Sequence, residues 1–262
     1  MSTIRQPAVA GLFYPAEAEV LGREIDALLA GVRATEAPPP KAVIVPHAGY
    51  IYSGPTAAVA YARLRPLKGT IQRVVLLGPS HRYAFHGLAL PDATGFSTPL
   101  GTVRMDQAAI SEILDLPQVR VMGAAHETEH SLEVPLPFLQ RVLGDFALVP
   151  LAVGEAPPAE VAEVLGRLWG GAETLIVISS DLSHYHEYMA AQRADRATTA
   201  HIEALRYEAL GYEDACGRDP INGLLYVARR RGLKATTLDL RNSGDTAGDR
   251  RRVVGYGAYA FH

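Results

Sequence analysis

The run Thr174-Leu175-Ile176-Val177-Ile178 shows no alternation of apolar and polar residues, and this constrains the chain more than any other feature. A strand with one wet face alternates; one that is apolar and mostly β-branched throughout belongs in a sheet covered on both sides. Comparable short runs lie at Lys41 to Pro46, Arg73 to Leu77 and Phe146 to Val153. Between them the period changes to that of helices. Val20, Leu21, Ile25, Leu28 and Leu29 form one stripe within Ala16 to Val32, which the prolines before Lys41 cannot continue. Gly54 to Leu64, Ser131 to Val142, Pro158 to Trp169, Met189 to Ala209 and Ile221 to Arg231 also read as helices. Segments near Leu88, Val103 and Val119 to Met122, and the stretches Ala235 to Leu240 and Val253 to Phe261, read as strands. Strand alternating with helix predicts an α/β protein, a mixed and largely parallel sheet between helical layers. No repeat or low-complexity linker interrupts residues 1–262, so one domain is expected.

Composition excludes several classes of function. Charged residues make up 20 % and the formal net charge is −3, without the basic excess of a general nucleic-acid binder. The clusters Arg229 to Arg231 and Arg250 to Arg252 read as solvated faces. A single cysteine, Cys216, cannot form an internal disulfide and fits a reducing compartment. Met1 to Tyr14 lacks the pattern of a signal peptide, and no apolar run approaches the ~20 residues of a membrane span. A soluble, cytoplasmic protein is expected.

The chemistry collects where strands end. His47 follows the first of these strands in PHAGY, His81 follows the second in GPSHR, and Asp181 and His184 follow the TLIVI strand in SSDLSHYHE. In open α/β sheets the carboxyl ends of strands border the ligand crevice, so groups distant in sequence converge there. Two imidazoles with a carboxylate or thiolate suit a first-row transition metal, and a third imidazole nearby suits a general base. His130, in EHSLE, either lines the same pocket or belongs to a helix start capped by Ser131. Asp245 sits in a polar turn at 242–245 and is a candidate carboxylate for the pocket. Cys216, in CGRDPI, reads by default as a buried, inert thiol.

PHAGYIYSG, GPSH, EHSLEVPLPF, SSDLSH and CGRDPI, in this order, resemble the Memo family, which includes the prokaryotic proteins called AmmeMemoRadiSam system protein B. The resemblance runs from about Arg5 to the C-terminus. It implies a three-layer α/β/α sandwich like that of the class III extradiol dioxygenases, which are non-haem iron enzymes. In that comparison His47 and His81 look like the metal-ligating histidines, His184 like the catalytic base, and Asp181 and His130 like pocket residues. The animal relative is similar in its two histidines and takes a cysteine as third ligand. That ligand comes from the last inter-strand loop, which in this sequence is Asn242 to Asp245 and holds no cysteine; there Asp245 would restore a set of two histidines and one carboxylate.

The resemblance implies Fe(II), with Cu or Zn as alternatives, and a dioxygenase-type oxidoreductase. A metal-handling or peptide-binding protein with a vestigial pocket is the competing reading, and a zinc hydrolase the third. A small-molecule or peptide ligand is expected. The family name implies a radical SAM protein and an AMMECR-type protein as pathway partners.

Overall fold

A computed structural model describes residues 3–33 and 37–262. Its centre is four parallel strands: β2 (Ala42–Val45), β9 (Thr174–Ser179), β3 (Arg73–Pro79) and β8 (Ala147–Val153), in that spatial order. Antiparallel strands extend it on both sides. β12 (Val253–Phe261) pairs with β2 and also carries β11 (Ala235–Asn242) and β10 (His184–His186), while β4 (Leu88–Leu90) follows β8 and pairs in turn with β7 (Val119–Val121). A separate three-stranded sheet joins β1 (Ile4–Arg5), β5 (Gly95–Thr98) and β6 (Gly101–Arg104).

The central strands are apolar throughout because each of their faces meets a helical layer. Ala42, Ile44, Val75, Leu77, Ile176 and Ile178 face one core, packed by α6 (Pro158–Arg167), α7 (Tyr188–Glu203) and α8 (Arg218–Arg231). Their neighbours Val43, Val45, Val74, Leu76, Leu175 and Val177 face the other, packed by α1 (Ala18–Ala30), α2 (Tyr50–Ala62) and α5 (Pro135–Leu143). The side-chain period of a strand divides the run between the two cores. The expected three-layer sandwich with a mixed sheet is therefore the observed architecture.

Helix ends differ from the sequence expectation where local chemistry decides. α2 begins at Tyr50 rather than Gly54 and carries Pro55 inside it, at the sixth helical position, where the missing N–H costs an intrahelical hydrogen bond. Residues 131–134 are turns, and the helix starts at Pro135, whose fixed φ suits the first helical position. α6 and α8 pack so closely that a Cβ on Gly223 would lie 2.3 Å from Cγ1 of Val161. Among the described residues no helix is long and apolar enough to cross a membrane.

Candidate metal centre

Parallel pairing in register fixes the level of the strand ends. Val45 lies opposite Ser179, and Leu77 opposite Ile178, so the turns carrying His47, His81 and Asp181 leave the sheet along one edge. There they line a cavity of about 720 Å³ together with His130 and His184. The ring centroids of His47, His81 and His130 lie within 4.7–5.4 Å of one another. His130 stacks on His81 and meets Phe13 edge-on.

Hydrogen bonding settles the tautomer of three of these rings. Ser179 Oγ donates its one proton to the carbonyl of Ser131 at 2.6 Å, so at 2.8 Å it accepts from Nδ1–H of His47. His81 Nδ1 lies 2.8 Å from Oε1 of Glu129, a carboxylate that accepts from several amides and therefore receives the imidazole proton as well. His184 Nδ1 donates to the carbonyl of Leu182 at 2.8 Å. Each ring is left with its lone pair on Nε2, the form in which imidazole binds metals or accepts a proton.

His184 is aimed by an unusual backbone. It begins β10, whose pairing with β12 is interrupted by a bulge between His184 and His186, and the intervening Tyr185 has φ 62°. That conformation is strained for a residue with a Cβ. The segment is held by hydrogen bonds between Leu182 N and Gly255 O and between Gly255 N and Ser183 O, and by Ser183 N donating to Asp195 Oδ1 at 3.0 Å. A Cβ on Gly255 would fall 2.2 Å from Asp195 Oδ2, so this approach requires glycine. Burial pushes the Asp195 carboxyl up to about 6, against the opposing pull of the Ser183 amide.

The third donor atom is one that strand-end reasoning missed. Cys216 Sγ lies 3.4 Å from His47 Nε2, and the ligand atoms of His47, His81 and Cys216 all lie within 4.8 Å of one another. Cys216 comes from the turn before α8, which packs directly onto the SSD turn: Gly217 N donates to Ser180 Oγ at 2.9 Å and Asp181 N donates to Cys216 Sγ at 3.3 Å. A Cβ on Gly217 would sit 2.7 Å from that of Ser180, so the glycine beside the cysteine was the available signal of this close approach. Asp245 is turned elsewhere. Its Oδ1 accepts from the Tyr188 hydroxyl and its Oδ2 from Asn242 N, closing a 3₁₀ turn outside the cavity. Asp181 is buried and accepts from the amide of His47 at 2.8 Å, so it fixes the His47 turn from beneath. A second trio, His81, Glu129 and His130, also brings ligand atoms within 4.8 Å.

Burial sets the protonation of the site. It lowers His47 well below the usual imidazole value, with the neighbouring His81 and His130 acting in the same direction. It lowers His130 to about 4 against the attraction of Glu129. Burial of Cys216 and the charge of Asp181 push the thiol up to about 12. Burial would also raise Glu129, but the His81 hydrogen bond and charge and the amides it accepts hold it at about 2. At neutral pH His47 and His130 therefore stand in the cavity as neutral imidazoles, and Cys216, beside His47, is a thiol whose proton is exchangeable for a cation.

An α/β fold with a mixed sheet, and with histidines and a cysteine gathered near the carboxyl ends of its central parallel strands, is the class this geometry defines. The chain belongs to the Memo family: the profile of that family, described as Memo-like protein, matches residues 5–260. It is similar to a MEMO1 family protein of Aquifex aeolicus (strain VF5), 39 % identical over 97 % of both chains. It is also similar to one of Ignicoccus hospitalis, 36 % identical over 98 % of both. Among solved structures, an uncharacterized protein of Escherichia coli K12 shares the fold with a TM-score of 0.51 and 15 % identity, over 83 % of this chain and 98 % of that one.

Proposed function

We propose that a mononuclear transition-metal centre held by His47, His81 and Cys216 borders this cavity, and that the protein is a non-haem oxidoreductase acting on a small ring-bearing ligand. The observation that carries the reading is the convergence of three donor atoms, two of them imidazole lone pairs fixed by their hydrogen bonds. Two imidazoles and a thiolate fit iron, copper or zinc and leave coordination positions open. Fe(II) held there would supply Lewis acidity and one-electron chemistry.

The protein's own groups have separable roles in this proposal. His184 Nε2 accepts a proton from an acidic hydroxyl of the ligand, the task of a general base. Phe13, Tyr52 and Tyr256 wall the cavity and would shield one face of a planar ligand from water, and Arg82 and Arg252 add positive charge to its lining. The volume suits a ligand of metabolite size. A second reading, metal handling without turnover, draws support from Cys216, since thiolates favour Cu(I) and zinc.

The test is anaerobic purification, measurement of bound iron, copper and zinc, and oxygen uptake with a panel of catechols. Bound iron with ring opening is the expected result. Bound metal without uptake supports the second reading, and zinc with esterase activity contradicts both. Full metal content in a His47→Ala, His81→Ala double variant overturns the ligand assignment.

A further inference from the structure

Two trios that share His81 bring donor atoms within reach of one cation at this edge of the sheet. One offers His47 and Cys216; the other offers Glu129 and His130, and would make a centre of two histidines and one carboxylate. We infer that Glu129 is not a ligand but the positioning residue of the centre, holding His81 so that Nε2 points to the Cys216 side. The inference rests on the metal-centre reading above and names what orients one of its ligands.

The geometry is decided by counting acceptor sites. Glu129 is buried, and Oε1 accepts from His81 Nδ1 at 2.8 Å and from the amides of His130 and Ser131, each at 2.9 Å. Oε2 accepts from the amide of His81. A carboxylate has about four lone-pair sites, and four donors already face it. Three of the four converge on Oε1, so a cation bound there would strip donors of their partner at a cost of a lost hydrogen bond for each, while Oε2 is already drawn to the His81 backbone. The same carboxylate grips both the ring and the backbone of His81, which fixes where that residue stands and which nitrogen carries its proton. A carboxylate behind a ligating imidazole also raises the basicity of the distal nitrogen.

Glu129 is itself held from the N-terminal strand. Arg5 donates through Nη2 to the Glu129 carbonyl and through Nε to the His126 carbonyl at 3.1 Å, and Nη1 pairs with Glu133. Glu133 also accepts from Ala8 N, Val9 N and the Tyr14 hydroxyl, and Phe13 of the same segment lies against His130. Residues 4–14 therefore brace the turn that carries the positioning carboxylate.

The experiment uses the full chain in two arms. In metal-free protein, long-range ¹H–¹⁵N correlation spectra report the tautomer of His81. A proton on Nδ1 is expected, and a proton on Nε2 overturns the inference without reference to any metal. In the second arm, Co(II) is titrated into wild type, Glu129→Gln and Cys216→Ser. The expected result is a thiolate-to-cobalt absorption band in wild type that persists in Glu129→Gln with affinity weakened ~10–100-fold, and its loss in Cys216→Ser. Unchanged affinity in Glu129→Gln, or complete loss of binding there while Cys216→Ser binds normally, overturns it. Absence of cobalt binding in wild type sinks the metal-centre reading instead, and the tautomer arm still decides the role of Glu129.

Discussion

The sulfur of Cys216 stands 3.4 Å from Nε2 of His47, although 169 positions of chain separate them. No pairing of sheet strands accounts for this contact. It depends on the turn before α8 folding under the end of β9, where Gly217 lets the backbone touch Ser180. The contact predicts that Cys216→Ser lowers zinc affinity by more than the ~10–100-fold that loss of an outer partner costs. Asp245→Asn, which changes a carboxylate outside the cavity, leaves affinity unchanged. Competition titration with a chromogenic chelator measures both, and equal losses in the two variants would contradict the site as drawn.

The bracing network predicts an asymmetry. Removing one partner of a buried ion pair costs roughly 3–5 kcal/mol. Glu133 serves Arg5, two backbone amides and a tyrosine hydroxyl, whereas Arg5 spends its donors largely on carbonyls. Glu133→Leu should therefore lower unfolding stability more than Arg5→Met, as measured by urea denaturation. The reverse order would show that the arginine, not the carboxylate, organises the segment.

Acid should destabilise the fold before its surface carboxylates protonate. His126 is buried, donates from Nε2 to the Ala89 carbonyl at 2.8 Å, and is lowered by burial to about 4. Its unfolded value is 6.5, so between these limits the unfolded state binds a proton that the folded state refuses, and stability falls as pH falls through this window. The contribution is on the order of 3 kcal/mol once pH is below 4. His130 and His47 act in the same direction. His126→Gln keeps a donor and removes the titration. Denaturation midpoints across this range should decline less steeply in the variant, and an unaltered slope would assign the acid response elsewhere.

Helix contact in one outer layer gives a prediction independent of the site. Gly223→Ala forces a methyl into Val161 and should cost ~1–3 kcal/mol, the usual penalty of overpacking. Val161→Ala in the same chain restores part of the loss, because the two positions share one space. A double-mutant cycle reads the coupling, and simple additivity would show that the helices part without strain.

How much of this was legible beforehand differs between elements. The TLIVI strand announced its two covered faces, and Ile176 and Val177 do point into opposite cores. The bulged strand at His184 and the short α3 (Gln107–Ser111) were not foreseen, since both are too short to show a period. Within the site, His47, His81 and His184 were placed by a local rule, because each stands just past an apolar run that ends at the same edge. His130 was ambiguous between cap and pocket, and it is the stacking on His81 that puts it in the cavity.

The sequence by itself determined the layers, the parallel core and the edge at which chemistry collects, because burial on two faces and the ends of strands are written in local residue patterns. Only the tertiary structure decided that Cys216 faces His47, that Asp245 is spent on its own turn, and that Glu129 holds His81. These are choices of side-chain direction between segments far apart in the chain. They are fixed by close backbone approach and by hydrogen-bond partners, neither of which leaves a periodic trace in the residues themselves.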